Sequence, residues 1–342
     1  MKKSRSILIT AFVFLCLCVT GACNNSNEVI DVNQSGKELS DTLEVSKGNN
    51  QFGFKLYSQL SKKKGDIFFS PYSVSSALAM AYVGARGSTQ AEMANVLNFA
   101  SGWEDDKKES GFSESFGELI EELNERGEKG NYELTVANGL WGQKNFSFLE
   151  EYVSTIEQDF GSGFRQLNFQ QAPVKSTEII NNWVEDKTSG KIEELFEAGM
   201  IDQLTRLVIT NAIYFKGSWA KEFDEELTRE LDFYVNAEET VKADMMRKTA
   251  ELGFYDGDGF KILELEYKDK QQSMFIFLPD ENDGLADFEK RFGYGQMQVA
   301  LSKLSKRKVR VLMPKFSYHW KEELSSVLSD MGMKECFTRD AN

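Results

Sequence analysis

Apolar positions recur at a helical period in the first half of this chain and at a strand period in the second. Phe52, Leu56, Tyr57 and Leu60 share one helical face. Residues 66–69 read as a short apolar strand. Ser70 then suits a helix N-cap, with Pro71 at the first helical position. Thr89 followed by Glu92 predicts a capping box ahead of Met93, Val96 and Leu97. Phe112, Phe116, Leu119, Ile120 and Leu123 mark another helix, and Phe148, Tyr152, Ile156 and Phe160 one more. Ile179, Ile180, Trp183 and Val184 define a further amphipathic helix that stops at Ser189-Gly190.

Strands follow. "YELTVANGLW" (132–141) alternates loosely, whereas "LVITNAIYF" (207–215) is apolar on both faces, which predicts a strand inside a covered sheet. "LDFYV", "KILELEY" and "SMFIFLP" lie between 231 and 279, and "VRVLMPKF" covers 309–316. Leu324, Val327, Leu328 and Met331 form a last helix with Gly332 at its end. Helices first and antiparallel-type strands later predict an α+β fold rather than βαβ winding. Four prolines, no repeat and no Gly/Ser/Pro-rich break after Asn49 predict one continuous domain.

The first residues change the picture. "MKKSRSILITAFVFLCLCVTGAC" carries Lys2, Lys3 and Arg5, then an apolar run too short to span a bilayer, then small residues before Cys23. Residues 1–22 are expected to be an export signal. The ending Thr20-Gly21-Ala22-Cys23 resembles a bacterial lipobox, which implies a diacylglyceryl group on Cys23 and attachment to a membrane. Ordinary cleavage after Ala22 is the alternative. Residues 23–48 are polar and show no clear period, so they are expected to be a flexible tether between the lipid and a domain over 49–342. The protein is then exported, as an envelope lipoprotein or extracellular. Cys16 and Cys18 leave with the signal and Cys23 is lipidated, so Cys336 remains alone and no intramolecular disulfide is expected.

Charge and chemistry narrow the function. The formal net charge is −14, which disfavours nucleic acid and points to a protein partner. His319, beside Trp320, is the single histidine, and no G-x-S-x-G occurs, so serine hydrolase chemistry lacks its base. His319 is expected to pack or to cap a helix. One histidine and Cys336 cannot build a zinc site without several carboxylates, and no phosphate-binding G-x-x-x-x-G-K-[ST] is present. Neither an enzyme nor a cofactor is expected. What remains is a polar set within apolar elements: Ser70 and Ser73 on a small-residue helix, and Asn211 in the doubly apolar strand. Each needs a hydrogen-bond partner if buried.

Four long stretches now match a known family in order and spacing. "DIFFSPYSVSSALAMAYVGARGSTQAEMANVL" resembles the second and third helices of serpins. "LVITNAIYFKGSWAKEFDEELT" resembles their central strand and the segment after it. "INNWVEDKTSGKIEELF" and "VRVLMPKFSYHWKEELSSVLSDMGMKECF" resemble two further serpin signatures. The resemblance implies helices packed around three β-sheets and inhibition of a serine (or cysteine) protease as a suicide substrate. The protease cleaves an exposed loop, is held as an acyl-enzyme, and the loop inserts into the main sheet as a new strand.

By the same resemblance Ser70, Ser73 and Asn211 match the "shutter", where strands part, and Trp219, Thr228 and Lys315 match the "breach", where insertion begins. None would be catalytic. The last residues, "ECFTRDAN", stop short of the family's reactive loop and closing strands, so the scissile bond and those strands are expected beyond Asn342. A monomer is expected for the complete protein. A non-inhibitory serpin acting as a binding or structural protein, and an inactive truncated one, are the alternatives.

Overall fold

The computed structural model describes residues 12–14, 32–99, 106–130, 132–235, 238–317 and 319–338. Cys23 and nearly all of the expected export signal lie outside them. The chain divides into two compact units. One, here the helical unit, comprises Gly21–Gly53, Ser70–Lys216 and Leu324–Asn342; the other, the sheet unit, comprises Met1–Thr20, Phe54–Phe69 and Gly217–Glu323.

The helical unit begins on helix α1 (Val32–Leu60), whose later part belongs to the sheet unit. Much of the stretch expected to be tether, 23–48, is therefore helical from Val32 onward. The reason is burial: Thr42 and Val45, three apart on one face, are almost wholly covered, and the Thr42 hydroxyl donates to Glu118 at 2.9 Å. Helix α2 (Pro71–Gly84) starts as its sequence predicts, with Ser70 Oγ accepting from the Ser73 amide at 3.1 Å.

The capping box at Thr89 does not form. Helix α3 (Gly87–Leu97) has its N-cap three residues earlier, at Arg86, and the Glu92 carboxylate instead accepts the amides of Lys334 and Glu335, at 2.6 and 2.8 Å. Those donors open the short 3-10 turn Glu335–Phe337, so a long-range cap outcompetes the local one. Helix α4 (Asp106–Lys129) buries Phe112 and Phe116 against Phe99, and Phe116 stacks on Phe160.

Strand β2 (Tyr132–Gln143), helix α5 (Glu150–Asp159) and strand β3 (Gly163–Leu167) make one βαβ crossover, with Gly139↔Gly163 through Gln143↔Leu167 in parallel register. The chain thus contains a winding its overall order argued against. Helix α6 (Pro173–Lys187) follows, ended by positive φ at Ser189 and Gly190 as expected. Strand β4 (Leu207–Gly217) completes a three-stranded sheet of order β3-β2-β4.

Strand β4 was expected inside a sheet. Among the described residues β2 pairs with one side of it and no strand occupies the other. Its even face, Val208, Thr210 and Ala212, is buried, whereas Leu207, Ile209, Asn211 and Ile213 are only half-buried. Val208 packs with Trp141, Phe169, Ile180 and Ile201.

In the sheet unit a six-stranded sheet runs β1-β8-β7-β6-β5, with β9 also on β6. Its strands are β1 (Phe12–Phe14), β5 (Arg229–Tyr234), β6 (Thr240–Asp256), β7 (Phe260–Glu266), β8 (Ser273–Pro279) and β9 (Ser305–Pro314). β1, from within the expected export signal, lies antiparallel along β8 at Phe12↔Phe277.

Three sheets were expected and two are present among the described residues, because β6 is long enough to belong to two layers. It pairs with β5 and β9 near Met245, and with β7 from Gly253 onward. One face buries Ile262 and Phe277 against Phe288 of helix α7 (Leu285–Arg291) and Met297 of helix α8 (Tyr294–Leu301), two helices that sequence patterning missed. The other buries Leu252, Leu265, Val311 and Met313.

Two further differences are local. Residues 66–69 are not part of a strand among the described residues, and Phe68 is 59 % exposed. His319 is exposed in a stretch without secondary structure ahead of helix α9 (Ser325–Met331), so it neither packs nor caps.

Candidate functional site

The polar residues under β4 form one hydrogen-bonded chain. Ser73, in the first turn of α2, donates its hydroxyl to Asn211 Oδ1. Asn211 Nδ2 donates to Asn138 Oδ1 at 2.8 Å, and Asn138 Nδ2 donates to the Phe160 carbonyl at 2.9 Å. Every bond points the same way, so each donor polarises the next. Ser70 joins through the backbone, since its hydroxyl fixes the turn that aims Ser73.

Beside the chain, Ser76 approaches Asn138 Oδ1 at 3.5 Å, and Ser75 donates to Asn49 at 2.7 Å. All the side chains are short, which lets helix and sheet approach closely while leaving few atoms to rearrange. The same economy shows at Gly139 on β2, where a Cβ would meet Thr210 Oγ1 at 2.5 Å and Trp141 Nε1 at 2.8 Å. Those two atoms are hydrogen-bonded to each other at 3.0 Å across the β2–β4 pair.

The second set lies in the sheet unit and is built differently. Trp219 bridges to Tyr267 and stacks on its ring, with centroids 4.6 Å apart. Lys248, on the inner face of β6 and 8 % exposed, places its ammonium 4.0 Å from the Phe223 ring centroid and 5.8 Å from that of Trp219. It donates to the Lys221 carbonyl at 2.7 Å. Burial, and then the nearby Lys221 charge, push its amine down to about 8. Burial also pushes the Tyr267 phenol up to about 12.

Thr228 and Lys315 lie at the ends of neighbouring strands. Thr228 precedes β5 and Lys315 follows β9, the two strands that meet β6 from either side at Met245. The Thr228 hydroxyl is buried with no hydrogen-bond partner among the described residues, while Lys315 is exposed and its amide donates to the Asp244 carbonyl at 2.9 Å.

Neither set pairs a nucleophile with a base. Both place hydrogen-bonding or aromatic groups against strands, which suits a layer that must move rather than a bond that must break. Residues 47–342 match the family model described as serpin (serine protease inhibitor). The chain belongs to the serpin family.

A serpin-like protein of Methanosarcina acetivorans is 34 % identical over 342 residues, covering 97 % of this chain and 77 % of its own. Among solved structures, emu (Dromaius novaehollandiae) ovalbumin superposes with a TM-score of 0.84 at 29 % identity, over 87 % of this serpin and 80 % of that chain. A loop-inserted, cleaved ovalbumin mutant gives 0.81 at 30 % identity, over 86 % and 80 %. The serpin fold and its mixed α+β class are thereby established, and the family's activity is protease inhibition rather than catalysis.

Sequence reasoning named Ser70, Ser73 and Asn211, and the structure brings them together. It missed Asn138, the acceptor that joins β2 to β4; the signal was an amide within the apolar run of "YELTVANGLW". It named Trp219 but missed Lys248, which looks like one more surface lysine in "RKTAEL".

Proposed function

We propose that this serpin inhibits a serine protease as a suicide substrate, its cleaved loop entering the main sheet as a new strand beside β4. In this reading Ser70, Ser73 and Asn211 act as the shutter, with Asn138 as their fourth member. Trp219, Thr228 and Lys315 mark the breach.

The observation that carries the reading is the Ser73–Asn211–Asn138 chain, which ties α2 to β4 and β2 through short side chains alone. A β4 strand that parts from its neighbour offers a row of backbone donors and acceptors to an incoming strand. Short side chains beneath it supply hydrogen bonds that can break and re-form without a large barrier. The exported protein is held at the cell envelope by a diacylglyceryl group on Cys23. A cysteine protease could be held in the same way, through a thioester.

The test is to mix the exported protein with trypsin-, chymotrypsin- and elastase-like proteases and look for a covalent complex that survives boiling in detergent. Cleavage by all three without a trapped complex would overturn the inhibitory reading in favour of a binding or structural serpin. Separately, cells fed radiolabelled palmitate should label the wild type and not Cys23→Ser; no label on the wild type would remove the anchor.

A further inference from the structure

The outer surface of β6 and β9 carries positive charge in a chain whose net charge is −14. Val309, Val311 and Met313 turn inward to the core, so strand alternation turns Lys306, Lys308 and Arg310 outward, and all three are exposed. β6 adds Arg247 to the same face through its pairing with Leu312. Lys306 is held by Glu266 at 2.9 Å and Glu264 at 3.6 Å. Arg247, Lys308 and Arg310 form no ion pair among the described residues, and Glu251, opposite Lys308, is the acidic residue between them. Leu312, 43 % exposed, ends the row.

We infer that this face docks on an anionic phospholipid surface. Cations two residues apart on a strand repeat every ~6.6–6.8 Å, a flat ladder suited to a plane of headgroups rather than to a ligand that needs a concavity. The rest of the acidic chain is repelled by such a surface, so the ladder also sets which side faces it. Leu312 is placed to enter the interface beside the cations. The choice of a membrane over another polyanion rests on the lipidated Cys23 reading; the charged face itself does not.

The exported protein carrying Cys23→Ser, which has no lipid however its leader is processed, isolates the face from the anchor. It should float with phosphatidylcholine vesicles that contain phosphatidylglycerol, stay behind with pure phosphatidylcholine, and be released by high salt. K308Q/R310Q should weaken that binding roughly 25-fold, about fivefold for each cation removed. K175Q/K191Q makes the same charge change on exposed residues of the helical unit and should bind as the parent does. Unchanged melting of both variants shows that folding is intact.

Flotation that ignores phosphatidylglycerol, equal loss in both double variants, or tighter binding to soluble dextran sulfate than to the vesicles would each overturn the proposal. Absence of palmitate on the wild type, with salt-sensitive flotation retained, would remove the anchor and support the face.

Discussion

Beneath β4, Ser73, Asn211 and Asn138 lose water and find one another; around Trp219, Lys248 loses water and finds two aromatic rings and a carbonyl. Both are polar groups buried against a sheet, yet the first set is matched donor to acceptor and the second leaves a charge without a counter-ion among the described residues. Matched neutral groups stabilise a structure modestly and are costly to break singly. An uncompensated buried charge destabilises from the start, so its removal should help. The two regions should therefore respond to mutation with opposite signs.

The largest effect is expected on the matched side. Asn138→Ala strands the Asn211 amide and the Phe160 carbonyl together, in a site only 6 % exposed, and should cost about 3 kcal/mol in urea unfolding. A loss under about 1 kcal/mol would mean that water replaces the amide freely and that the chain is not a unit.

Lys248→Met tests the unmatched side. It keeps the length and the contact with the Phe223 ring, removes the charge, and should stabilise the protein by about 1 kcal/mol at neutral pH. The pH dependence fixes the cause. The folded amine titrates at about 8 and the unfolded one at 10.5, so between those values the unfolded chain binds more protons and wild-type stability rises with pH. Below about 8 the penalty is fully present. The advantage of Lys248→Met should therefore be constant at acidic and neutral pH and shrink as pH climbs past 8. An advantage independent of pH would assign it to packing instead.

Ser73→Ala removes one link and leaves Asn211 Oδ1, on the half-buried face of β4, to find water. About 1 kcal/mol should be lost, less than for Asn138→Ala because water can reach this end of the chain.

How far these sites could be read from sequence follows the range of the contacts that make them. The Ser70 cap spans three residues and was legible from spacing alone. Ser73 and Asn211 are 138 residues apart, so sequence could say only that each needed a partner; the resemblance to serpins supplied the pairing. Glu92 was assigned to its own helix because nothing local reveals that residues 334–335 come to it. Lys248 was invisible because its inward direction is set by the register of β6 against β9, Lys248↔Val311, rather than by its own neighbours. The early helix was missed for the same reason: Thr42 and Val45 are too few to make a period, and it is Glu118 and the core that hold them.

The smallest expected effect sharpens the contrast most, because it asks whether an unmatched group without charge behaves like an unmatched charge. The Thr228 hydroxyl is buried with no partner among the described residues, while its amide is already satisfied by the Glu225 carbonyl at 3.1 Å. Its backbone is extended, at φ −68 and ψ 131, which a β-branched side chain accepts readily. Thr228→Val keeps that branching and exchanges the orphan oxygen for a methyl group. Stability should stay level or rise by no more than about 0.5 kcal/mol, since a hydroxyl loses far less on burial than an ammonium does. A loss of about 1 kcal/mol or more would show that the hydroxyl is in use in the native protein, and would move Thr228 from the unmatched group to the matched one.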